Sequence, residues 1–584
     1  MSLKTKYSLY PALINTKDGA NYGYINRKSI FKITPQFTVA YDFNDSNRAI
    51  VSKDDKYGLI DTEGNLKVNL IYSSISPFKE GLAVYTLNDK MGVMDKLGNS
   101  ITKKNYNFIN DYSNGMALVG ESYGSDDYKY GYINKDGVEV IPTKYKQAND
   151  FNGGYAVVKI KDGEFALIDL TGKLINKYNY QYVGGYGEGL MFFSNGFGEK
   201  YGYINVAGEI VIEPTYFTAT GFKDGMAIVS IDEGYNSLNG VINNKGKYIY
   251  LPIYSNINLL GEERVSLGMP IGEGEINLTS IYAIGNSKGD IFTDFKFLVV
   301  GNYNNGLSYG SNEEYTFFID KSGKPIKNLP KVKGSGTLEI KDGIVYADID
   351  YEPYYLNKDG SVIYKPNKKI ILSDKYSVIK EKYKLNINYL IYYPVIIGVY
   401  NKKINIEINK KLWDMSYFTP YAEEGKNKNS VITKDDVLDY SYYGNFTIEF
   451  YKKDLLVLNL SGYYYPIGAA HGMPSKKTPC INLVTGKFYS LGDLFMGGVY
   501  YTGELNKIIN NMIETDPQYE YVFKYAFKGI TEKQDFYVDK DNLYIYYPPY
   551  EIGPYSAGFI TFKINFDEIK GMINKNGEFY KSFN

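Results

Sequence analysis

The stretch that decides the fold is Tyr130-Gly131-Tyr132-Ile133-Asn134, which is followed by Lys-Asp-Gly and by Val-Glu-Val-Ile-Pro up to residue 142. The same five residues recur at 22–26 and 201–205, and softer copies lie between and after them. Self-similarity at a period of roughly 36 residues is typical of a repeat array. Each copy ends in Asn or Asp, and the ten ends are Asn26, Asp61, Asp95, Asn134, Asp169, Asn205, Asn243, Asn286, Asp320 and Asn357.

Each clear copy predicts the same parts. A short strand runs into a Gly-containing turn, and a second apolar strand, Val138–Ile141, is expected to stop at Pro142, which cannot donate to a ladder. Tyr145 is expected in a loop, and a third strand follows at Gly154-Tyr155-Ala156. Three strands per repeat is an all-β pattern, and units this small must stack to bury their apolar faces.

Residues 8–366 therefore predict an open array of about ten three-stranded antiparallel β repeats. A seven-unit propeller-like ring is the alternative, if only the strong copies from Asn26 to Asn243 count as blades. Composition agrees with many short strands and tight turns, since the chain has 64 Tyr, 59 Gly and only 20 Pro.

Charge and cysteine content restrict the function classes. The chain has 65 basic and 66 acidic residues, a formal net charge of −1, which argues against a nucleic-acid partner. Cys480 is the single cysteine, so no intramolecular disulfide can form. No apolar run is long enough for a transmembrane segment. We expect the cytosol if Met1 is the native start, and the cell envelope or secretion if a leader was removed.

The repeated phrase resembles the WG-repeat (KWG-repeat) family of bacterial proteins, in its Gly-Tyr-Ile-Asn, Ile-x-Pro-x-Tyr and Gly-x-Ala parts. The family's Trp is replaced, mostly by Tyr. The resemblance implies a binding role without established catalytic residues. The structural anchors of the repeats are then expected at Tyr22, Gly23, Tyr57, Gly58, Tyr130, Gly131, Tyr201 and Gly202.

After residue 366 the phrase disappears, and 367–584 predict an α+β module. Ile404, Ile408, Leu412 and Met415 share one helical face within 402–415, and a second helix is expected at 501–513. Hairpins are expected at 446–460 and 536–547.

Two phrases of this module, Gly468–Gly472 and Pro549–Gly558, resemble the extracytoplasmic module of RsiV-type anti-sigma factors and peptidoglycan deacetylases, a domain of unknown function of the 3298/4163 type. The first half of the resemblance lies at 380–420 and the second at 440–575. In the anti-sigma relatives it implies binding of lysozyme. The candidate binding residues within these phrases are His471, Tyr550, Glu551 and Tyr555.

The sequence gives little support for catalysis. His471 is the only histidine, so a Ser-His-Asp triad would have to use it, and a loop histidine bonded to backbone is the simpler interpretation. Cys480 is interpreted as a core residue rather than as the partner of His471. Asp539-Lys540-Asp541-Asn542 is interpreted as a hairpin turn rather than a calcium loop. No catalytic residue, metal or cofactor is predicted.

The leading hypothesis is a non-enzymatic bacterial binding or scaffold protein with a protein partner. One alternative is a cell-wall carbohydrate-binding protein whose exposed aromatic rings stack on sugars, and another is an unrecognised carboxylate-dependent hydrolase. The loops between repeats at 121–129, 194–200 and 232–239 are further binding candidates, because binding surfaces usually lie on loops.

Overall fold

The computed structural model describes residues 8–124, 127–231, 237–271, 280–417 and 438–584. The chain divides into two compact units. The first comprises Met1–Ile14 and Asn21–Pro366, and the second comprises Asn15–Ala20 and Asn367–Asn584. Among the described residues, no helix combines the length and apolar character that a membrane crossing requires.

The first unit is a succession of ten small antiparallel sheets of three or four strands each. The predicted mainly β array of about ten repeats is confirmed, and within the described residues no sheet closes on itself into a barrel. Ten sheets rather than seven form because the weaker copies, which end at Asn286, Asp320 and Asn357, also build sheets.

The strands of the first five sheets are β1 Tyr10–Thr16, β2 Gly19–Ile25 and β3 Phe31–Phe37; β4 Val39–Ala40, β5 Ala49–Lys53, β6 Lys56–Ile60 and β7 Leu66–Tyr72; β8 Ser74–Ile75, β9 Leu82–Leu87 and β10 Lys90–Asp95; β11 Phe108–Ile109, β12 Met116–Ser122, β13 Tyr128–Asn134 and β14 Glu139–Tyr145; β15 Gln147–Ala148, β16 Tyr155–Lys161, β17 Glu164–Asp169 and β18 Leu174–Tyr178.

The strands of the other five sheets are β19 Tyr182–Val183, β20 Leu190–Ser194, β21 Tyr201–Asn205 and β22 Ile210–Tyr216; β23 Thr218–Ala219, β24 Ala227–Ser230, β25 Asn239–Ile242 and β26 Tyr248–Tyr254; β27 Asn256–Gly261, β28 Arg264–Pro270 and β29 Ser280–Asn286; β30 Val299–Val300, β31 Ser308–Ser311, β32 Tyr315–Ile319 and β33 Lys331–Lys333; β34 Gly336–Lys341, β35 Ile344–Ile349, β36 Glu352–Leu356 and β37 Val362–Tyr364.

The sheets differ from the predicted sequence unit in two respects. The Gly-x-Ala strand pairs with the phrase that follows it, as β12 does with β13, so one sequence unit contributes to two neighbouring sheets. Many sheets also begin with a strand of only two residues, such as β11 or β15. A strand of two residues has no detectable period, so no sequence pattern predicts it.

The prediction that the second strand of each unit stops at Pro142 is wrong. Strand β14 continues to Tyr145, which is buried at the strand end rather than placed in a loop. Tyr132 lies opposite Ile141 and Tyr130 opposite Tyr145, so the edge strand bulges between these pairs. Pro142 is tolerated inside this bulge because it needs no ladder donor there.

Apolar cores form between consecutive sheets. Tyr132 and Ile141 of the fourth sheet pack with Val158 and Ile168 of the fifth. Single sheets of this size are marginal in water, and stacking on both faces supplies the missing burial.

The first and tenth sheets also pack against each other, through Tyr10, Ile25, Ile344 and Tyr355. The Tyr355 hydroxyl donates to the carbonyl of Pro11 at 3.0 Å. These contacts join the two ends of the array.

The second unit is α+β, as predicted. An eight-stranded sheet has the order β38-β39-β40-β41-β42-β44-β45, with β43 paired to β42, and a second sheet has the order β46-β47-β48. The elements are β38 Lys369–Ile371, β39 Ser377–Asn386, β40 Tyr389–Ile397, α1 Lys402–Ser416, β41 Tyr440–Lys452, β42 Leu455–Pro466, β43 Met473–Lys477, β44 Cys480–Asn482, β45 Phe488–Tyr489, α2 Tyr501–Thr515, β46 Phe536–Val538, β47 Asn542–Tyr547, β48 Ile560–Asn565 and α3 Glu578–Lys581, with 3-10 turns at Leu491–Leu494, Pro517–Tyr519 and Tyr555–Ala557.

Both predicted long helices are present, and α1 buries residues of its predicted face. Asn401 caps α1 by accepting from the backbone N–H groups of Lys403 and Ile404. Ile408 and Leu412 of α1 are fully buried against the large sheet.

Candidate functional site

The buried anchor of the repeated phrase is its third residue. Tyr132 is 0% exposed, and its hydroxyl donates to the carbonyl of Asn149 at 2.6 Å. Its ring meets that of Phe151 edge-on at 4.7 Å between centroids. Tyr24 and Tyr203 repeat this arrangement with Tyr41 and Thr220 as acceptors, at 2.8 and 2.9 Å.

The first residue of the phrase, the predicted anchor, is half-buried in the four strong copies where it is tyrosine. The structure places Tyr22, Tyr57, Tyr130 and Tyr201 at this position.

The glycine of the phrase is required by close backbone approach. A Cβ on Gly131 would lie 2.4 Å from the carbonyl oxygen of Ile141, and Gly23 and Gly202 meet the equivalent oxygen at 2.4 Å. The corresponding distance for Gly58 is 2.5 Å. Real Cβ atoms do not tolerate this distance, so the bulged edge strand and the glycine depend on each other.

The Asn or Asp that ends each phrase closes the turn. Asn134 Oδ1 accepts from the N–H groups of Asp136 and Val138, both at 3.0 Å, and Asp169 Oδ1 accepts from Thr171 and Lys173. This side-chain turn explains why Asn and Asp are interchangeable there. The residues of the phrase therefore make contacts that stabilise the fold.

Three of the four predicted binding residues meet in the second unit. His471 lies in the loop between β42 and β43, and Tyr550 and Tyr555 lie in the loop between β47 and β48. The His471 ring is 4.2 Å from that of Tyr555 and 6.0 Å from that of Tyr550, measured between centroids. With Tyr463 of β42 these residues form what we call the His471 cluster.

The hydrogen bonds of His471 define its tautomer. Nδ1 lies 3.0 Å from the carbonyl oxygen of Gly472, which can only accept, so Nδ1 carries the proton. Nε2 lies 3.0 Å from the Tyr550 hydroxyl and accepts from it. Both ring nitrogens are thus engaged, in line with the interpretation of a loop histidine bonded to backbone.

Tyr463 and Tyr555 hold the loop that carries His471. The Tyr463 hydroxyl accepts from the N–H of Gly472 at 3.0 Å, and the Tyr555 hydroxyl donates to the carbonyl of Gly472 at 2.9 Å. The pKa of Tyr555 is raised, mainly by its hydrogen bond with Tyr463 and to a lesser extent by burial. This phenol therefore stays protonated and remains a donor.

Tyr463 and Gly472 are not among the predicted binding residues. A Cβ on Gly472 would lie 2.4 Å from the carbonyl oxygen of Tyr464. The sequence signal near them is the run of tyrosines shortly before His471. That these tyrosines lie opposite β43 is known only from the register of the sheet.

Tyr550 has a backbone conformation that is uncommon for an aromatic residue. Its φ is 69°, in the left-handed region, and its side chain is 52% exposed. A bulky residue in this region is strained, by about 1–3 kcal/mol, unless its surroundings impose the conformation. The hydrogen bond to His471 fixes the ring at the surface.

Glu551, the fourth predicted binding residue, is exposed beside the cluster. Its backbone N–H donates to the carbonyl of Pro548. Partial desolvation of its carboxyl group, with a contribution from the nearby Asp535 carboxylate, raises its pKa.

The other residues weighed for chemistry have structural surroundings. Cys480 is buried in the core, and burial raises the pKa of its thiol to about 12, so it stays protonated at neutral pH. Asp539 Oδ1 accepts from the backbone N–H groups of Asp541 and Asn542, which is the predicted hairpin turn. Across the described ranges, no group of three or more His, Cys, Asp or Glu side chains is placed to hold a metal ion.

The predicted binding loops between repeats are described in part. In the loop at 194–200, Phe197 is fully exposed at 103%. Of the loops at 121–129 and 232–239, residues 125–126 and 232–236 lie outside the described residues.

Comparison with protein families agrees with this architecture. The family described as WG containing repeat matches residues 22–57, 57–90, 91–121, 130–164 and 201–235. The family described as protein of unknown function (DUF3298) matches residues 492–567, which include Tyr550 and Tyr555. No curated protein matches the chain significantly.

Among solved structures, a DUF3298-family protein of Bacteroides fragilis is 21% identical, with a TM-score of 0.27, and covers 35% of this chain and 96% of its own. A DUF3298-family protein of Pseudomonas aeruginosa is 16% identical, with a TM-score of 0.24, and covers 34% and 94%. A eukaryotic initiation factor is 7% identical, with a TM-score of 0.37, and covers 56% and 96%. Scores this low transfer no function. From the family matches, the chain carries WG-containing repeats in its N-terminal region and a DUF3298 domain, a domain of unknown function, at its C-terminal end.

Proposed function

We propose that this chain is a non-enzymatic binding protein, in which the repeat array is a scaffold and the His471 cluster contacts a protein partner. The observation that carries the proposal is Tyr550. It is half-exposed, has a positive φ and is held by the only histidine of the chain. Strained backbone conformations cluster at functional sites.

The neighbourhood of Tyr550 supports a protein partner. The N–H of Phe523 donates to the carbonyl of Ile552 at 2.8 Å, which brings a second aromatic loop beside the cluster. In that loop Tyr521, Phe523 and Tyr525 are 38%, 47% and 78% exposed. Rigid aromatic side chains with polar tips are enriched at the energetic centres of protein interfaces.

The non-enzymatic part of the proposal is supported by the chemistry of the cluster. Both nitrogens of His471 are engaged, by Gly472 and Tyr550. The side chains that surround it are phenols rather than an activated nucleophile.

Lysozyme is the first protein to test, because of the resemblance to the anti-sigma module. We expect immobilised full-length chain to bind lysozyme in a biolayer-interferometry titration. Tyr550→Ala should weaken the affinity at least tenfold, about 1.4 kcal/mol, as loss of a central aromatic contact does.

Tyr400→Ala is the matched control, since Tyr400 is 96% exposed in the same unit. Its affinity should equal that of the wild type. A flat titration with the wild-type chain, or equal losses in both variants, would contradict the proposal.

A further inference from the structure

A second site is a cavity of about 390 Å³ in the C-terminal unit. It lies between the C-terminal end of α1 and strands β40 to β43, and it shares no residue with the His471 cluster. Its volume falls within the range of small-molecule sites, which is about 300–1,000 Å³.

A buried hydroxyl on the cavity wall lacks a partner. Ser416, in the last turn of α1, is 7% exposed, and its Oγ makes no hydrogen bond in the described part of the chain. An unsatisfied buried hydroxyl is unfavourable by about 1–3 kcal/mol. A ligand that hydrogen-bonds to this oxygen would remove the penalty.

The two charged groups on the wall have opposite sign. Lys477 donates from Nζ to the carbonyl of Met415 at 3.1 Å, which leaves two of its three N–H groups for other acceptors. Asp414, an exposed residue in the last turn of α1, also lines the cavity. A ligand with a net charge would be attracted by one of these groups and repelled by the other.

The rest of the wall also combines donors and acceptors with flat apolar faces. Asn445 and Ser461 line it with side chains that donate to the Tyr443 hydroxyl and to the Asn445 carbonyl. Ser475, which bonds with Tyr442, and the tyrosines Tyr392 and Tyr417 complete the lining. A purely apolar ligand would leave Ser416 Oγ and the remaining N–H groups of Lys477 without partners. A ligand with many hydroxyls on an apolar ring would satisfy both kinds of surface.

We propose that this cavity binds a neutral polyhydroxylated ligand of the size of one sugar ring. Its hydroxyls donate to the Asp414 carboxylate and accept from Lys477 and Ser416. The site is independent of the protein-binding surface, because different residues form the two.

The proposal is tested by saturation-transfer difference NMR on the full-length chain with D-glucose, N-acetyl-D-glucosamine and two comparison compounds, cyclohexanecarboxylate and cyclohexylamine. We expect a saturable signal from at least one sugar. Asp414→Asn and Lys477→Met should each weaken binding at least tenfold, whereas Lys410→Met, an exposed change on the same helix, should have no effect.

Circular dichroism of each variant checks that the fold is kept. No signal from either sugar, a stronger signal from a comparison compound, or unchanged binding in a folded Asp414→Asn variant would overturn the proposal. Tyr550→Ala should leave sugar binding unchanged, so the proposal for this cavity and the proposal for the His471 cluster can be contradicted independently.

Discussion

The two tyrosines in each of the three exact copies of the phrase, two residues apart, have different environments. Tyr130 is half-buried, whereas Tyr132 is fully buried and hydrogen-bonded. Sequence similarity alone draws attention to the first, because it replaces the family's Trp. Strand alternation places residues two apart on the same face, so it does not distinguish these tyrosines. The difference comes from the neighbouring segment, whose Asn149 carbonyl and Phe151 ring contact Tyr132.

Tyr132→Phe should lower the free energy of unfolding by about 1–3 kcal/mol, because the carbonyl of Asn149 loses a buried donor. Tyr130→Phe should change it by less than about 0.5 kcal/mol, as surface changes usually do. Urea denaturation followed by tyrosine fluorescence measures both. Equal effects of the two variants would contradict the assignment of Tyr132 as the anchor.

Gly202→Ala should destabilise the array by about 1–3 kcal/mol, the usual effect of overpacking, because the new Cβ would lie 2.4 Å from the carbonyl oxygen of Ile212. Gly221→Ala is the control, since its Cβ would have no neighbour closer than 3.8 Å. Thermal unfolding by calorimetry compares them. A Gly202→Ala variant as stable as the control would refute the close-approach argument.

At the scale of elements, the side-chain turn that ends each phrase is the most regular feature. Asp61 Oδ1 accepts from the N–H groups of Glu63 and Asn65, and Oδ2 pairs with Lys67 Nζ at 2.8 Å. Burial alone would raise the pKa of Asp61, but the hydrogen bonds from Lys67 and Asn65 outweigh it and lower the pKa to about 2.

This shift predicts a pH dependence. Because the folded-state pKa lies below the ordinary value of 3.8, the ionised carboxylate stabilises the fold above that value, and the contribution is lost as the pH falls through about 2. Asp61→Asn keeps the turn but lacks the ion pair. Its melting temperature should lie below that of the wild type at about pH 6, and the difference should shrink between about pH 4 and 2.

The control is the Lys67→Met variant, which also lacks the ion pair. Adding Asp61→Asn to this variant should lower the melting temperature less than the same change does in the wild type. A melting-temperature difference that does not vary with pH would contradict the assigned role of the ion pair.

The elements also show what the sequence could and could not predict. Helix α1 was predictable because Ile408 and Leu412 repeat with helical period and both face the core. The two-residue strands were not, since they have no period, and neither was the bulge at Pro142, which depends on Gly131 across the ladder.

At the scale of the molecule, the contact between the first and tenth sheets joins distant parts of the chain. Tyr355 is 1% exposed, and its ring lies 5.3 Å from that of Tyr10 between centroids. Lys341 also pairs with Asp42 at 2.6 Å. No local sequence pattern predicts a contact between residues this far apart in the chain.

Tyr355→Ala should destabilise the array by about 3–5 kcal/mol and increase cleavage near residues 8–14, because the first strand loses its packing partner. Limited proteolysis with N-terminal sequencing measures the cleavage. Tyr123→Ala, a change at a 61% exposed tyrosine, serves as the control. Protection of the first strand in Tyr355→Ala would show that the contact between the ends is unimportant.

The candidate binding site was predictable in part. Two phrases about 80 residues apart supplied His471, Tyr550 and Tyr555, and the fold brings these three together. The resemblance pointed to the phrases, but not to Tyr463 or to the positive φ of Tyr550, which arise from the pairing of β42 with β43 and from the loop after β47.

The most direct test of the central claim uses His471 as a reporter, since it is the only histidine in the sequence. In the chain labelled at histidine with ¹³C and ¹⁵N, its ring gives one set of NMR signals. The account predicts that adding lysozyme shifts or broadens these signals in the wild-type chain and does so much less in Tyr550→Ala. Ring signals that stay unchanged at saturating lysozyme would contradict the assignment of the His471 cluster as the protein-binding surface.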